Sequence, residues 1–112
     1  MCIAAFISLT CLQVDGLGDD LPPGELNRIT EAGQHFGSPC WNGKYKVAGS
    51  PATPELKDMQ EPAGAIYPQV EFPAHQAQLG MAFYTGKQFP KKYQGGMFIA
   101  SHGSWNRSVA RG

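Results

Sequence analysis

LGMAFYTG, residues 79 to 86, and MFIAS, residues 97 to 101, are joined by KQFPKKYQGG, residues 87 to 96. Each outer stretch is short, apolar and uncharged, and the first is closed by Gly86. The link is polar and holds Pro90 and a Gly-Gly pair. Apolar runs of this length bounded by turn residues read as strand, turn, strand.

Upstream, the same punctuation recurs. In AIYPQVEFP, residues 65 to 73, Pro68 and Pro73 forbid a helix and disfavour a central strand, so the segment is extended. ELNRIT, residues 25 to 30, alternates, with Leu26 and Ile29 apolar against Asn27, Arg28 and Thr30. It reads as a short strand, with a single helical turn as the alternative. EAGQHFGSP, residues 31 to 39, is a turn and a bend. Residues 41 to 63 carry three prolines and few large apolar side chains, and are expected to be an exposed, irregular excursion.

The 112 residues contain 14 glycines and 9 prolines, high but below the roughly 25–30% that marks low-complexity chains. Four or five short strands, Gly/Pro-rich loops and no clear helix predict an all-β fold, either sandwich or propeller. A propeller blade takes about 40–45 residues, so this chain holds about two. Two blades alone leave strand edges open.

Nine basic residues balance nine acidic ones, and this balance gives no footprint for nucleic acid. The apolar start, MCIAAFISLTCL, lacks the basic residues of a secretory signal and is too short for the ~20 residues of a membrane span. Residues 1–17 are set apart as an apolar segment: a buried strand, a non-native start or a weak signal. Cys2, Cys11 and Cys40 show no C-x-x-C spacing, so a zinc site combining Cys40 with histidines is disfavoured.

Four stretches carry groups suited to chemistry. Asp19 and Asp20, with Glu25 and Asn27, form an oxygen-rich loop of the kind that suits a hard cation such as calcium; a solvated turn is the alternative. His35 and His75 sit in turns, where each is a candidate ligand or a satisfied loop histidine. HGSWNRS, residues 102 to 108, offers His102, the ring of Trp105, the amide of Asn106 and the five N–H donors of Arg107. That set suits an anionic planar ligand, and an aromatic-capped turn with a surface arginine is the competing reading.

The ordered stretches GDDLPPGELNRIT, EAGQHFG and PAHQAQLGMAFYTGKQFPKKYQGGMFIASHGSWNR resemble the glucose/sorbosone dehydrogenase family. The resemblance runs from about Gly18 to Arg107. It implies that residues 18–112 are part of a six-bladed β-propeller. It also implies a quinoprotein that oxidises a sugar or sugar aldehyde with pyrroloquinoline quinone (PQQ) and calcium, and passes electrons to an acceptor. The implied setting is periplasmic or secreted. Asp19 and Asp20 fall on the loop near the metal. His102, Trp105 and Arg107 fall on the loop that meets the cofactor. The proton-abstracting histidine of the family precedes the matched region, so none of His35, His75 or His102 takes that role. The run QVDGLGDD is shorter than its family counterpart and lacks an arginine found there. A carbohydrate-binding module without the cofactor is therefore the alternative function.

Overall fold

The structure, a computed structural model, describes residues 6–10, 17–51, 53–104 and 106–111. It is built from strands, with 3₁₀ turns at Pro54–Leu56 and Lys91–Tyr93. The strands are β1 (Phe6–Thr10), β2 (Gly24–Ile29), β3 (Trp41–Asn42), β4 (Tyr45–Lys46), β5 (Val70–Phe72), β6 (Gln78–Phe83) and β7 (Met97–Ser101). All pairings are antiparallel and give three small sheets, β1-β2-β5, β3-β4 and β6-β7. The fold is all-β, as composition and spacing predict. Among the described residues no helix is long and apolar enough to cross a membrane.

β2 is the organising strand. Five of its six residues pair with β1, from Phe6↔Ile29 to Thr10↔Glu25. Its first half pairs with β5, at Gly24↔Phe72, Glu25↔Glu71 and Leu26↔Val70. Thus 6–10, inside the apolar N-terminal segment, forms a strand. β5 lies at a sheet edge, where its flanking prolines, Pro68 and Pro73, remove no ladder bond. β6 and β7 pair across the link read as a turn, with one register irregularity between Gln78 and Gly80.

Residues 41–63 differ from the irregular excursion expected of them. Their first part closes into the β3–β4 hairpin, and Asn42, Val47 and Ala48 are buried there, next to the buried Cys40. The amides of Val47 and Ala48 both donate to the carbonyl of Cys40, at 2.9 Å each. The turn depends on Gly43, whose φ of +56° is left-handed. The Gly43 amide donates to the buried carboxylate of Glu25, and a Cβ at this position would run into the Glu71 carboxylate.

Among the described residues the interior is small and polar. Its apolar members there are Leu26, Cys40, Val47, Ala48, Ala74 and Ala77. Packed with them are Glu25, Asn27, Asn42, His75 and Gln78. Several large apolar side chains lie outside: Leu79 is 70% exposed and Phe83 59%. The molecule measures 49 × 41 × 16 Å, with a radius of gyration of 16.0 Å. A compact domain of this length has about 13 Å.

Gly43→Ala therefore loses about 1 kcal/mol in urea unfolding, because a left-handed backbone strains any Cβ, while the exposed Glu71 carboxylate can swing aside. Gly64→Ala is the control: its φ is +79° but its Cβ meets nothing within 4 Å. It should lose a similar amount, and a clearly larger loss at Gly43 would show that the Glu71 side chain is held in place.

Candidate functional site

Three loops separated in sequence meet at one place: residues 17–20 before β2, residues 73–77 before β6, and residues 102–111 after β7. Arg107 joins them. Its side chain is only 4% exposed. Nη1 donates to the backbone carbonyls of Asp19 and, at 3.3 Å, Ala74. Nη2 donates to Asp20 Oδ1 at 3.1 Å, forming an ion pair, and Nε reaches the Val109 carbonyl at 3.3 Å.

The surrounding contacts hold the same three loops. The Ser108 amide donates to both carboxylate oxygens of Asp19, at 3.0 and 3.1 Å. His75 Nε2 lies 2.9 Å from the Gly18 carbonyl, which can only accept, so this nitrogen carries the proton. The amides of His102 and Gly103 donate to the carbonyls of Ala77 (2.9 Å) and Gln76 (3.0 Å). The Ser104 amide donates to the Arg111 carbonyl at 2.7 Å, and the Arg111 amide returns a bond to Ser104 Oγ at 2.8 Å. His75 and Ala77 both have positive φ, 64° and 49°. Two non-glycine residues in the left-handed region persist only where their surroundings hold them.

Asp19 is the titrating group of this latch. The Ser108 backbone hydrogen bond lowers its pKa most. Partial desolvation opposes this, and the Ser108 side chain, Arg107 and His75 add to the lowering.

The structure thus brings together Asp19, Asp20 and Arg107 from the sequence-based set. His102 lies on the same loop with an exposed side chain. Trp105 lies outside the described residues, as do Cys2 and Cys11. Glu25 and Asn27 do not join Asp19 and Asp20. They point beneath the β3–β4 turn, where Asn27 Nδ2 donates to Glu25 Oε2 at 3.0 Å. His35 is a turn residue whose Nδ1 accepts from the Gly37 amide at 2.9 Å. Cys40 is a free, buried thiol 3.6 Å from the Met59 sulfur. Ser108 went unnoticed in the sequence because its main contribution is a backbone N–H. His75 carried a signal, its place at a loop-to-strand boundary.

Among the described residues no group of three or more His, Cys, Asp or Glu side chains is arranged to hold a metal ion. Asp19 is engaged by Ser108, and Asp20 by Arg107. These two carboxylates alone do not make a closed cradle for calcium, which takes six to eight oxygens.

No family model matches the chain, and no solved structure matches it. A protein of Borreliella burgdorferi described as uncharacterized is 48% identical over 94 residues, which cover 84% of this chain and 24% of that protein. The chain therefore spans about a quarter of the relative's length.

Two outcomes follow. Asp20 is 86% exposed, so its ion pair contributes under ~1 kcal/mol. The buried Arg107 bonds to backbone carbonyls contribute more, because their loss strands buried acceptors at about 1–3 kcal/mol each. Arg107→Lys should thus lower stability in urea by about 2 kcal/mol or more, and Asp20→Asn by less than ~1 kcal/mol. Equal effects would shift the weight to the ion pair.

The second outcome concerns pH. Asp19 has a folded pKa below its unfolded value of about 3.9. Its contribution is fully present above that value and is lost as pH falls through the folded pKa. The Ser108 amide resonance should follow this acid limb, and Asp19→Asn should abolish it.

Proposed function

We propose that this chain is part of a quinoprotein oxidoreductase of the glucose/sorbosone dehydrogenase type, in which it forms about two blades of a six-bladed propeller. The whole protein oxidises a sugar or sugar aldehyde and passes the electrons to a separate acceptor. It works in the periplasm or outside the cell.

The observation that carries this reading is the meeting of three loops at Arg107. The resemblance puts two of them, around Asp19–Asp20 and His102–Arg107, beside the metal and the cofactor. They lie 87 residues apart in sequence and are tied by one guanidinium. The greater length of the matched relative and the all-β architecture with exposed large side chains are also in keeping with it.

The residues in hand do not fit a complete PQQ and calcium site. Most of the Arg107 donors are committed to protein acceptors, and the two aspartates have partners of their own. What the chain supplies is the frame: Arg107 and Ser108 fix the backbone of residues 18–20, and His75 holds the Gly18 carbonyl. PQQ, where bound, would supply the two-electron redox chemistry, and calcium would polarise it. Both need further groups from outside these residues.

A carbohydrate-binding module without the cofactor is the second reading. The committed state of Arg107 and Asp19 favours it.

The test compares this chain with the longer Borreliella relative, each supplied with PQQ and calcium and assayed for dye reduction with glucose or sorbosone. The relative should turn over and the 112-residue chain should not. Sugar binding by calorimetry, without PQQ uptake or turnover in either protein, would establish the module instead.

A further inference from the structure

The interior holds every reacting atom of one labile dipeptide. Asn42 precedes Gly43, and of the three asparagines it alone is followed by a glycine. In an unconstrained chain, Asn-Gly is the linkage most prone to lose ammonia. The glycine nitrogen attacks the side-chain carbonyl carbon, and no Cβ stands in its way. The bond from Gly43 N to Asn42 Cγ forms, and the Cγ–Nδ2 bond breaks. The Gly43 amide proton leaves with Nδ2 as ammonia. Water then opens the cyclic imide to an aspartyl or isoaspartyl linkage. In sum, one amide and one water give one acid and one ammonia, with no change of oxidation state.

The fold opposes each step. The nucleophile is engaged, since the Gly43 amide donates to the buried carboxylate of Glu25. The leaving group is engaged, since Asn42 Nδ2 donates to the Pro23 carbonyl at 3.2 Å. The electrophile is unassisted, since Asn42 Oδ1 has no hydrogen-bond donor among the described residues. Asn42 is 1% exposed, so negative charge growing on Oδ1 during attack would meet neither a donor nor bulk water. The backbone is fixed as well. Asn42 pairs with Tyr45 across the turn formed by Gly43 and Lys44. Ring closure requires Asn42 Cγ to swing onto the next nitrogen, and both the pairing and the Pro23 bond resist that rotation.

We propose that Asn42 is a deamidation site kept silent by the folded β3–β4 hairpin, with Glu25 and the Pro23 carbonyl as its lock, and that opening of the hairpin commits it. The change is not undone when the hairpin recloses. An aspartyl product puts a second buried carboxylate on the dipeptide that Glu25 already binds, and the Glu71 carboxylate also borders Gly43. Among the described residues the one ion pair, Arg107–Asp20, lies at the loop latch and offers no cation here. A buried charge without a partner is strongly disfavoured. An isoaspartyl product adds a carbon to the main chain opposite Tyr45 and breaks the ladder there. Either product keeps the hairpin from closing and uncovers Cys40, Val47 and Ala48, which are buried in the closed form. A transient loosening thus becomes a lasting mark. The inference does not rest on the redox reading.

Timed incubation of the purified chain at neutral pH tests it, read by mass spectrometry of the tryptic peptide of residues 29–44. An amide-to-acid mass gain reports deamidation, and methylation by an isoaspartyl methyltransferase reports the isoaspartyl form. Reaction through the open form alone scales with the open fraction, so the native chain should react at least about tenfold more slowly than the chain in concentrated urea at the same pH. Glu25→Ala strands the Gly43 amide and should raise the native rate at least about fivefold. Glu25→Gln keeps an acceptor without the charge and should fall between the two. Exchange of the Val47 and Ala48 amides, both bonded to the Cys40 carbonyl, reports hairpin opening and should rise in step. Circular dichroism shows whether the Ala variant keeps its strands, and where it does not, the urea and Gln comparisons stand alone. A native rate equal to the rate in urea overturns the proposal. A slower reaction in either Glu25 variant also overturns it, and makes Glu25 the base that drives the attack. So does deamidation that rises without faster exchange at Val47 and Ala48.

Discussion

The Arg107 guanidinium is a cation withdrawn from water almost completely and surrounded mainly by backbone oxygens. Such a group is tolerated only where its N–H donors are met. Meeting them forces the loop before β2, the loop before β6 and the loop after β7 into contact. That contact brings distant parts of the chain together, and adds to the packing of β6 against β1 and of the Gln78 side chain against Gly24. Among the described residues the largest buried apolar side chain is Leu26, and the rest of the interior is alanine, valine, cysteine and polar groups.

A polar interior has a consequence for rigidity. Glu25 is held by the Gly43 amide and by Asn27, and Asn42 Nδ2 reaches the Pro23 carbonyl at 3.2 Å. These bonds are directional and tolerate less slippage than apolar contacts. Several buried polar atoms, including Asn27 Oδ1 and Asn42 Oδ1, have no partner within the described residues. A network satisfied only in part fixes geometry but contributes less stability than a filled apolar core.

Much of the strand content was legible. Periodicity gave β2, and the Gly and Pro boundaries gave β6 and β7. Pro68 and Pro73 marked the segment as extended and argued against a central strand, and β5 lies at the sheet edge. The β3–β4 hairpin was not expected, although Asn42-Gly43 is a two-residue turn signal. The prolines that follow it drew the reading toward irregular chain. In the site, Asp19, Asp20 and Arg107 stood out because their side chains are chemically conspicuous. Their mutual contact was not legible, since no local pattern encodes a bond across 87 residues. Glu25 and Asn27 looked like neighbours of the aspartates by spacing. Strand geometry turned them inward instead, because alternate residues share one face.

The position of β5 has one more implication. Its three residues lie between two imino acids that have no N–H to give. A newcomer strand along its free margin would find only the short ladder of Val70 and Phe72 to join. On that flank residue type limits how far the β1-β2-β5 sheet can grow.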